Sequence, residues 1–190
     1  MNYYEIDIDA SLKKRKLIYK RKGLFATFMD LLFVASFEVI VTIIFPFIAI
    51  AVFINNFDDT ESFFLDLLLV IVSLLTATYI CLSFFFNNRL QQIKGVSGSK
   101  NRTIIKEYFK DLVDWKQVRQ DQLIYIFEKG WDWTSLSYGR QITILYDGKD
   151  ILINCISFTK YRTGSPFSWF FDRKIEKKLK QVFLEKLAKN

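Results

Sequence analysis

Residues 25–86 form a stretch of 62 positions with six acids and no Lys, Arg or His. Water-exposed surfaces of folded proteins are rich in cations, so a soluble origin for this stretch is hard to sustain. Two apolar runs lie inside it. Residues 31–54 are interrupted only by Glu38, and residues 67–86 carry no charge at all. As a helix the first run would extend about 36 Å, enough for a hydrocarbon core of about 30 Å. Between them, residues 55–62 (Asn-Asn-Phe-Asp-Asp-Thr-Glu-Ser) form a short acidic turn. The expectation is a transmembrane hairpin of two helices. In a chain of 190 residues, a soluble core large enough to wrap both runs is not available.

The flanks are basic. Residues 1–24 hold seven cations against three acids, and residues 87–190 hold twenty against eleven. The positive-inside rule therefore places both termini in the cytoplasm and the acidic turn outside. The first apolar run is too long for a signal-peptide core and no small-x-small cleavage site follows it, so an uncleaved anchor in the cytoplasmic (bacterial inner) membrane is expected. In the N-terminal segment, Tyr4, Ile6 and Ile8 alternate with polar residues as in a weak strand. Ser11 is placed to cap a basic helix running to Lys22. Its narrow stripe of Leu12, Leu17 and Ile18 would suit a helix lying on anionic lipid, while the basic block also serves simply to set topology.

Residues 87–100 contain the small-residue cluster Gly95-Val96-Ser97-Gly98-Ser99-Lys100 and are expected to be a linker. The spacing does not fit a phosphate loop. Residues 101–190 look like one α+β domain. Ile104, Ile105, Tyr108, Phe109, Leu112 and Val113 recur with helical period. Three runs rich in branched and aromatic residues follow (123–127, 142–146 and 151–158), with Asp147-Gly148-Lys149-Asp150 as a hairpin turn. A final helix places Phe171, Ile175, Leu179, Val182, Phe183 and Leu187 on an apolar stripe, with Arg173, Lys174, Lys177, Lys178 and Lys180 opposite. The implied architecture is an antiparallel sheet of three or four strands packed by two helices.

Composition narrows the chemistry. Without His, and with two Cys assigned to different environments (Cys81 in a span, Cys155 in a strand), no nucleophile–base pair, disulfide or metal spacing emerges. No catalytic residue, cofactor or metal site is expected. The position of most interest is Glu38, an acid in the first span with no cation in the membrane to pair with. Tyr79 and Ser83 of the second span lie at similar depth and could donate hydrogen bonds to it. Asp30 and Asp66 fall at span boundaries, where solvation accounts for them. The aromatic clusters around Trp131, Trp133 and Trp169, with the basic face of Arg173, Lys174, Lys177 and Lys178, form a surface for lipid headgroups or a protein partner. Nucleic acid is disfavoured because the cations lie on a helix face rather than in a ring-lined groove. Together these features suggest a non-catalytic integral membrane subunit or adaptor, bound to lipid and to other subunits or copies of itself. An ion- or proton-conducting oligomer built on Glu38 is the alternative.

Overall fold

A computed structural model describes residues 6–20, 40–57, 62–130, 138–158, 165 and 168–189. The chain divides into two compact units. Met1–Lys20 and Phe86–Asn190 make up one, and Arg21–Phe85 make up the other.

The first unit is a five-stranded antiparallel sheet flanked by three helices. Its strands are β1 (Gln91–Ile93), β2 (Trp115–Gln120), β3 (Ile124–Lys129), β4 (Arg140–Asp147) and β5 (Asp150–Ser157), in the spatial order β1-β5-β4-β3-β2. The three central strands are those expected from the sequence. The two edge strands are additions, and the count of three or four is corrected to five. Neither edge is marked in the sequence, because the residues Trp-Lys-Gln-Val-Arg-Gln and Gln-Gln-Ile are largely polar and carry little periodic signal. β1 falls in the stretch expected to be a linker. The β4–β5 turn pairs Asp147 with Asp150 and holds Gly148 at φ 60, the positive φ that a two-residue hairpin demands.

Strand alternation gives the sheet two apolar faces. Tyr125, Phe127, Ile142, Ile144, Ile151 and Ile153 point to one, where α4 (Gly98–Lys110) and α5 (Trp169–Lys189) cover them through Ile105, Phe109, Leu179 and Phe183. Ser97 caps α4, its hydroxyl accepting from the Lys100 amide at 3.3 Å. Gly95 is required where it stands, because a Cβ there would sit 2.4 Å from the Lys149 carbonyl oxygen.

The other face carries Ile124, Ile126, Leu145, Leu152 and Ile156, and it is covered by the N-terminal segment through Ile6, Leu17 and the partly buried Ile8 and Leu12. This corrects the N-terminal reading. The helix there is short, α1 (Ile8–Lys14), and Asp7 caps it by accepting from the Ala10 amide at 3.0 Å. Ser11 is buried inside the turn and accepts from the Ile18 amide at 2.8 Å. Arg15 ends the helix in the left-handed region (φ 52). Leu17, expected on a lipid-facing stripe, is only 2% exposed in the sheet's core.

The second unit holds a π-helical turn (Ile40–Ile44) leading into α2 (Phe45–Asn55), then α3 (Phe63–Phe86) as far as Phe85. Pro46, at the start of α2, has no amide to give the preceding turn, which fits the wider π register ahead of it. One described helix, over Phe63–Ser83, is long and apolar enough to cross a membrane. Val41–Asn55 is a shorter apolar helix. At its tips the unit is tied together by Phe53, Phe57 and Phe63, whose rings lie 5.5–5.8 Å apart, and by an Asn56 Nδ2 to Asp66 Oδ2 hydrogen bond of 2.9 Å.

Candidate functional site

The chemistry-bearing side chains of the sheet domain gather where β5 outruns its neighbour. β1 pairs with β5 only from Ile151 to Ile153, so the outward amides of Cys155 and Ser157 have no strand to meet. Two carboxylates from α5, one helical turn apart, take its place. Glu176 Oε1 accepts from the Cys155 amide at 2.7 Å. Asp172 accepts from the Ser157 amide at 2.8 Å and from the Ser157 hydroxyl at 2.6 Å. Both acids are 1% exposed, and each has a guanidinium: Arg140 Nε lies 3.2 Å from Asp172, and Arg173 Nη1 lies 2.5 Å from Glu176. Arg173 also donates to the carbonyls of Phe86, Asn87 and Arg89 at 2.6–3.0 Å, and Asn154 Nδ2 donates to those of Asn87 and Arg89. The network seals the sheet edge and fixes the segment that leads into β1.

Burial governs the protonation of these groups. Removal from water raises the Glu176 carboxyl to about 7, although Arg173 and the Cys155 amide pull the other way. It raises Asp172 as well, against the Ser157 and Arg140 contacts. Burial, with Asp172 nearby, also pushes the Cys155 thiol well up, so this cysteine is an unreactive core residue rather than a thiolate.

Beside this network a cavity of about 590 Å³ opens, lined by four cations (Arg15, Arg89, Arg173 and Lys177), the Glu176 carboxylate and the rings of Phe86 and Trp169. Those two rings stack at 5.8 Å, 27° from parallel. Arg15 is paired with Asp147 at 2.9 Å, with both side chains about half exposed. Arg173 is committed to Glu176 and the three carbonyls. Such a pocket has charge and flat apolar surface to offer, which are tools of binding.

The structure thus brings together three of the residues expected on the docking surface, Arg173, Lys177 and Trp169, and adds Arg15, Arg89 and Phe86. Arg173 does not sit on the outer face of its helix but turns inward. Lys174 and Lys178 are exposed, and Lys174 Nζ lies 4.7 Å from the Phe170 ring centroid. Trp131, Trp133 and Glu38 lie outside the described residues. Of Glu38's expected donors, Ser83 spends its hydroxyl on the Ile80 carbonyl of its own helix at 2.7 Å, and Tyr79 is partly buried.

The expected apolar stripe of α5 holds through Ile175, Leu179, Phe183 and Leu187, all packed on the sheet's core, and fails at its first member. The buried line runs Asp172, Glu176, Leu179, Phe183, and Phe171 is 60% exposed. A ranking by apolarity puts Phe171 inside and the acids out. The i, i+4, i+7, i+11 spacing of those four residues was the signal available. Among the described residues no three His, Cys, Asp or Glu side chains converge as a metal site. Comparison with known proteins finds no matching family model, no matching curated protein and no matching solved structure.

Proposed function

We propose that this chain is a non-catalytic integral subunit or adaptor of a cytoplasmic-membrane assembly. Its apolar residues cross the bilayer twice, and the sheet domain meets lipid or a partner protein on the cytoplasmic side. The observation that carries this reading is the joining of two distant segments. The Leu17 amide donates to the Asn88 carbonyl at 2.7 Å and the Leu90 amide to the Arg15 carbonyl at 3.1 Å, with a bridge between Lys16 and Arg89. Residues on either side of the apolar stretch therefore belong to one folded body. A chain that leaves such a body for the membrane and returns to it must cross an even number of times. With one helix of spanning length at Phe63–Ser83, two crossings is the smallest count that satisfies this, and the Phe53–Phe63 ring contact across the turn supports a hairpin. The excess of cations in the folded body favours the cytoplasmic side for it.

The test is sidedness. In a chain with Cys81 and Cys155 changed to Ser, Thr60→Cys should react with a membrane-impermeant maleimide in intact cells, and Lys186→Cys only after lysis. Labelling of Lys186→Cys from outside, or release of the chain from membranes by alkaline carbonate, would overturn the reading.

A further inference from the structure

We propose that the cavity bounded by Arg15, Arg89, Lys177 and Trp169 holds the phosphate of an anionic phospholipid headgroup. The proposal rests on the membrane-anchored reading above and assigns that reading a ligand and a site.

Charge is the first argument. Four cations line the cavity against one carboxylate, and that carboxylate, Glu176, is already bonded to Arg173 and to the Cys155 amide. Arg173 is held by three carbonyls, so it contributes a fixed positive field. Arg89 and Lys177 differ: among the described residues neither side chain has a hydrogen-bond or ion-pair partner, and both are exposed. Two unspent cations beside a rigid guanidinium constitute an anion site whose first contacts are Arg89 and Lys177. Arg15 adds a third donor, since an exposed pair such as Arg15–Asp147 is worth little and is readily exchanged for a phosphate.

Chain connectivity decides between a soluble phosphate ester and a lipid. Phe86 follows Ser83, the end of the candidate span, by three residues, and Arg89 follows it by six. Even fully extended, three residues reach no more than about 11 Å and six no more than about 22 Å. The headgroup layer beyond the hydrocarbon is itself about 5–8 Å thick on each side. The Phe86 side of the cavity is therefore tethered close to the headgroup layer. Its other lining fits the same source. Stacked Trp169 and Phe86 with Leu90 offer apolar surface next to charge, which suits the glycerol end of a lipid and has no use for a bare phosphate ion. The volume, about 590 Å³, lies within the range of small-molecule sites and is far more than a lone phosphate fills.

The experiment uses the full chain purified in mild detergent, with native mass spectrometry reading the lipid retained. Three probes are added separately: phosphatidylglycerol, phosphatidylcholine and glycerol 3-phosphate. One phosphatidylglycerol per chain should be retained in preference to phosphatidylcholine. The Arg89→Ala/Lys177→Ala pair should weaken retention about thirtyfold, from about 1 kcal/mol for each cation near anionic lipid. A pair of equal charge change outside the cavity, Lys110→Ala/Lys116→Ala, should stay within about twofold, since surface charge away from the ligand is largely screened. The Arg89→Gln/Lys177→Gln pair repeats the measurement with side-chain bulk retained, and its melting temperature shows whether the domain is still folded.

Equal losses in the cavity and control pairs would reduce the effect to diffuse electrostatics and overturn the site. Displacement of phosphatidylglycerol by glycerol 3-phosphate would assign the cavity to a soluble ester and overturn the lipid source. A co-purifying protein lost with the same pair, in place of lipid, would assign it to a protein partner. Each of these leaves the anchor intact, whereas carbonate release of the chain would overturn the anchor itself.

Discussion

The sheet domain and the apolar helices are built from the same kinds of side chain and treat them in opposite ways. Ile144, Leu145, Ile151, Leu152 and Ile153 are 0% exposed in the sheet domain, whereas Phe47, Phe64 and Leu65 are 70–77% exposed on α2 and α3. The polar groups differ just as sharply. Asp172 and Glu176 accept from amides of β5, and their guanidinium partners are Arg140 on β4 and Arg173 on their own helix. Ser73, Thr76, Thr78 and Ser83 instead donate to carbonyls three or four residues back in their own helix, at 2.7–2.8 Å. One region is organised by exclusion of water and by contacts between distant segments. The other satisfies these hydroxyls within their own helix and leaves much of its apolar surface outward, as a hydrocarbon solvent would require.

The strongest way to break this comparison is to remove a large side chain from each region. Phe183→Ala, at a 1% exposed site, should cost about 3–5 kcal/mol in unfolding of the detergent-solubilised chain. Leu75→Ala, at a 65% exposed site, should cost less than about 0.5 kcal/mol in the same denaturation measurement. Similar costs at the two sites would mean that both regions are organised alike.

Next in size is the edge seal. Asp172→Ala leaves Arg140 without its carboxylate and the Ser157 amide without an acceptor, and should cost about 3 kcal/mol. Asp172→Asn retains an acceptor for Ser157 and should cost less. Thermal melts of the two variants give the order, and a reversed order would remove the sealing role.

The smallest effect is a pH dependence confined to the sheet domain. Glu176 holds its proton to about pH 7 in the folded chain, against an ordinary value of 4.5. Between those values the folded state binds the proton that the unfolded state has released. This group's share of stability is therefore full below about pH 4.5 and is lost as pH rises through 7. The loss amounts to about 2 kcal/mol between pH 5 and 7. Glu176→Gln should flatten that part of the stability profile. A variant profile running parallel to the parent's would show that Glu176 is not the group responsible.

Much of the sheet domain was legible in advance because its signals are local. Branched and aromatic runs mark β3, β4 and β5, Gly148 marks their hairpin, and a 3.6-residue period marks α4. The edge strands β1 and β2 were not, since an exposed edge needs no apolar alternation and its pairing is decided by the neighbouring strand. A cation followed by Lys174 and, one turn on, by Lys177 and Lys178 reads as part of a solvated helix face, which is where the sequence puts Arg173. Its actual partners, the carbonyls of Phe86, Asn87 and Arg89, lie more than eighty residues away. Lys177 is marked by the basic face of its helix and Trp169 by an aromatic cluster, whereas Arg15 and Arg89, each in a basic flank, have nothing in the sequence to distinguish them.

Taken alone, the amino-acid order determined the apolar, cation-free stretch and the three central strands, because solvent preference and side-chain period are properties of neighbouring residues. The tertiary structure decided that residues 6–20 cover the second face of a sheet formed by residues 91–157. It decided too that the acids of α5 turn inward to serve an unpaired strand edge, and that Arg15, Arg89 and Lys177 share one cavity. Those outcomes depend on which buried amides and apolar faces remain unsatisfied once the chain has folded, a quantity that no local window of sequence contains.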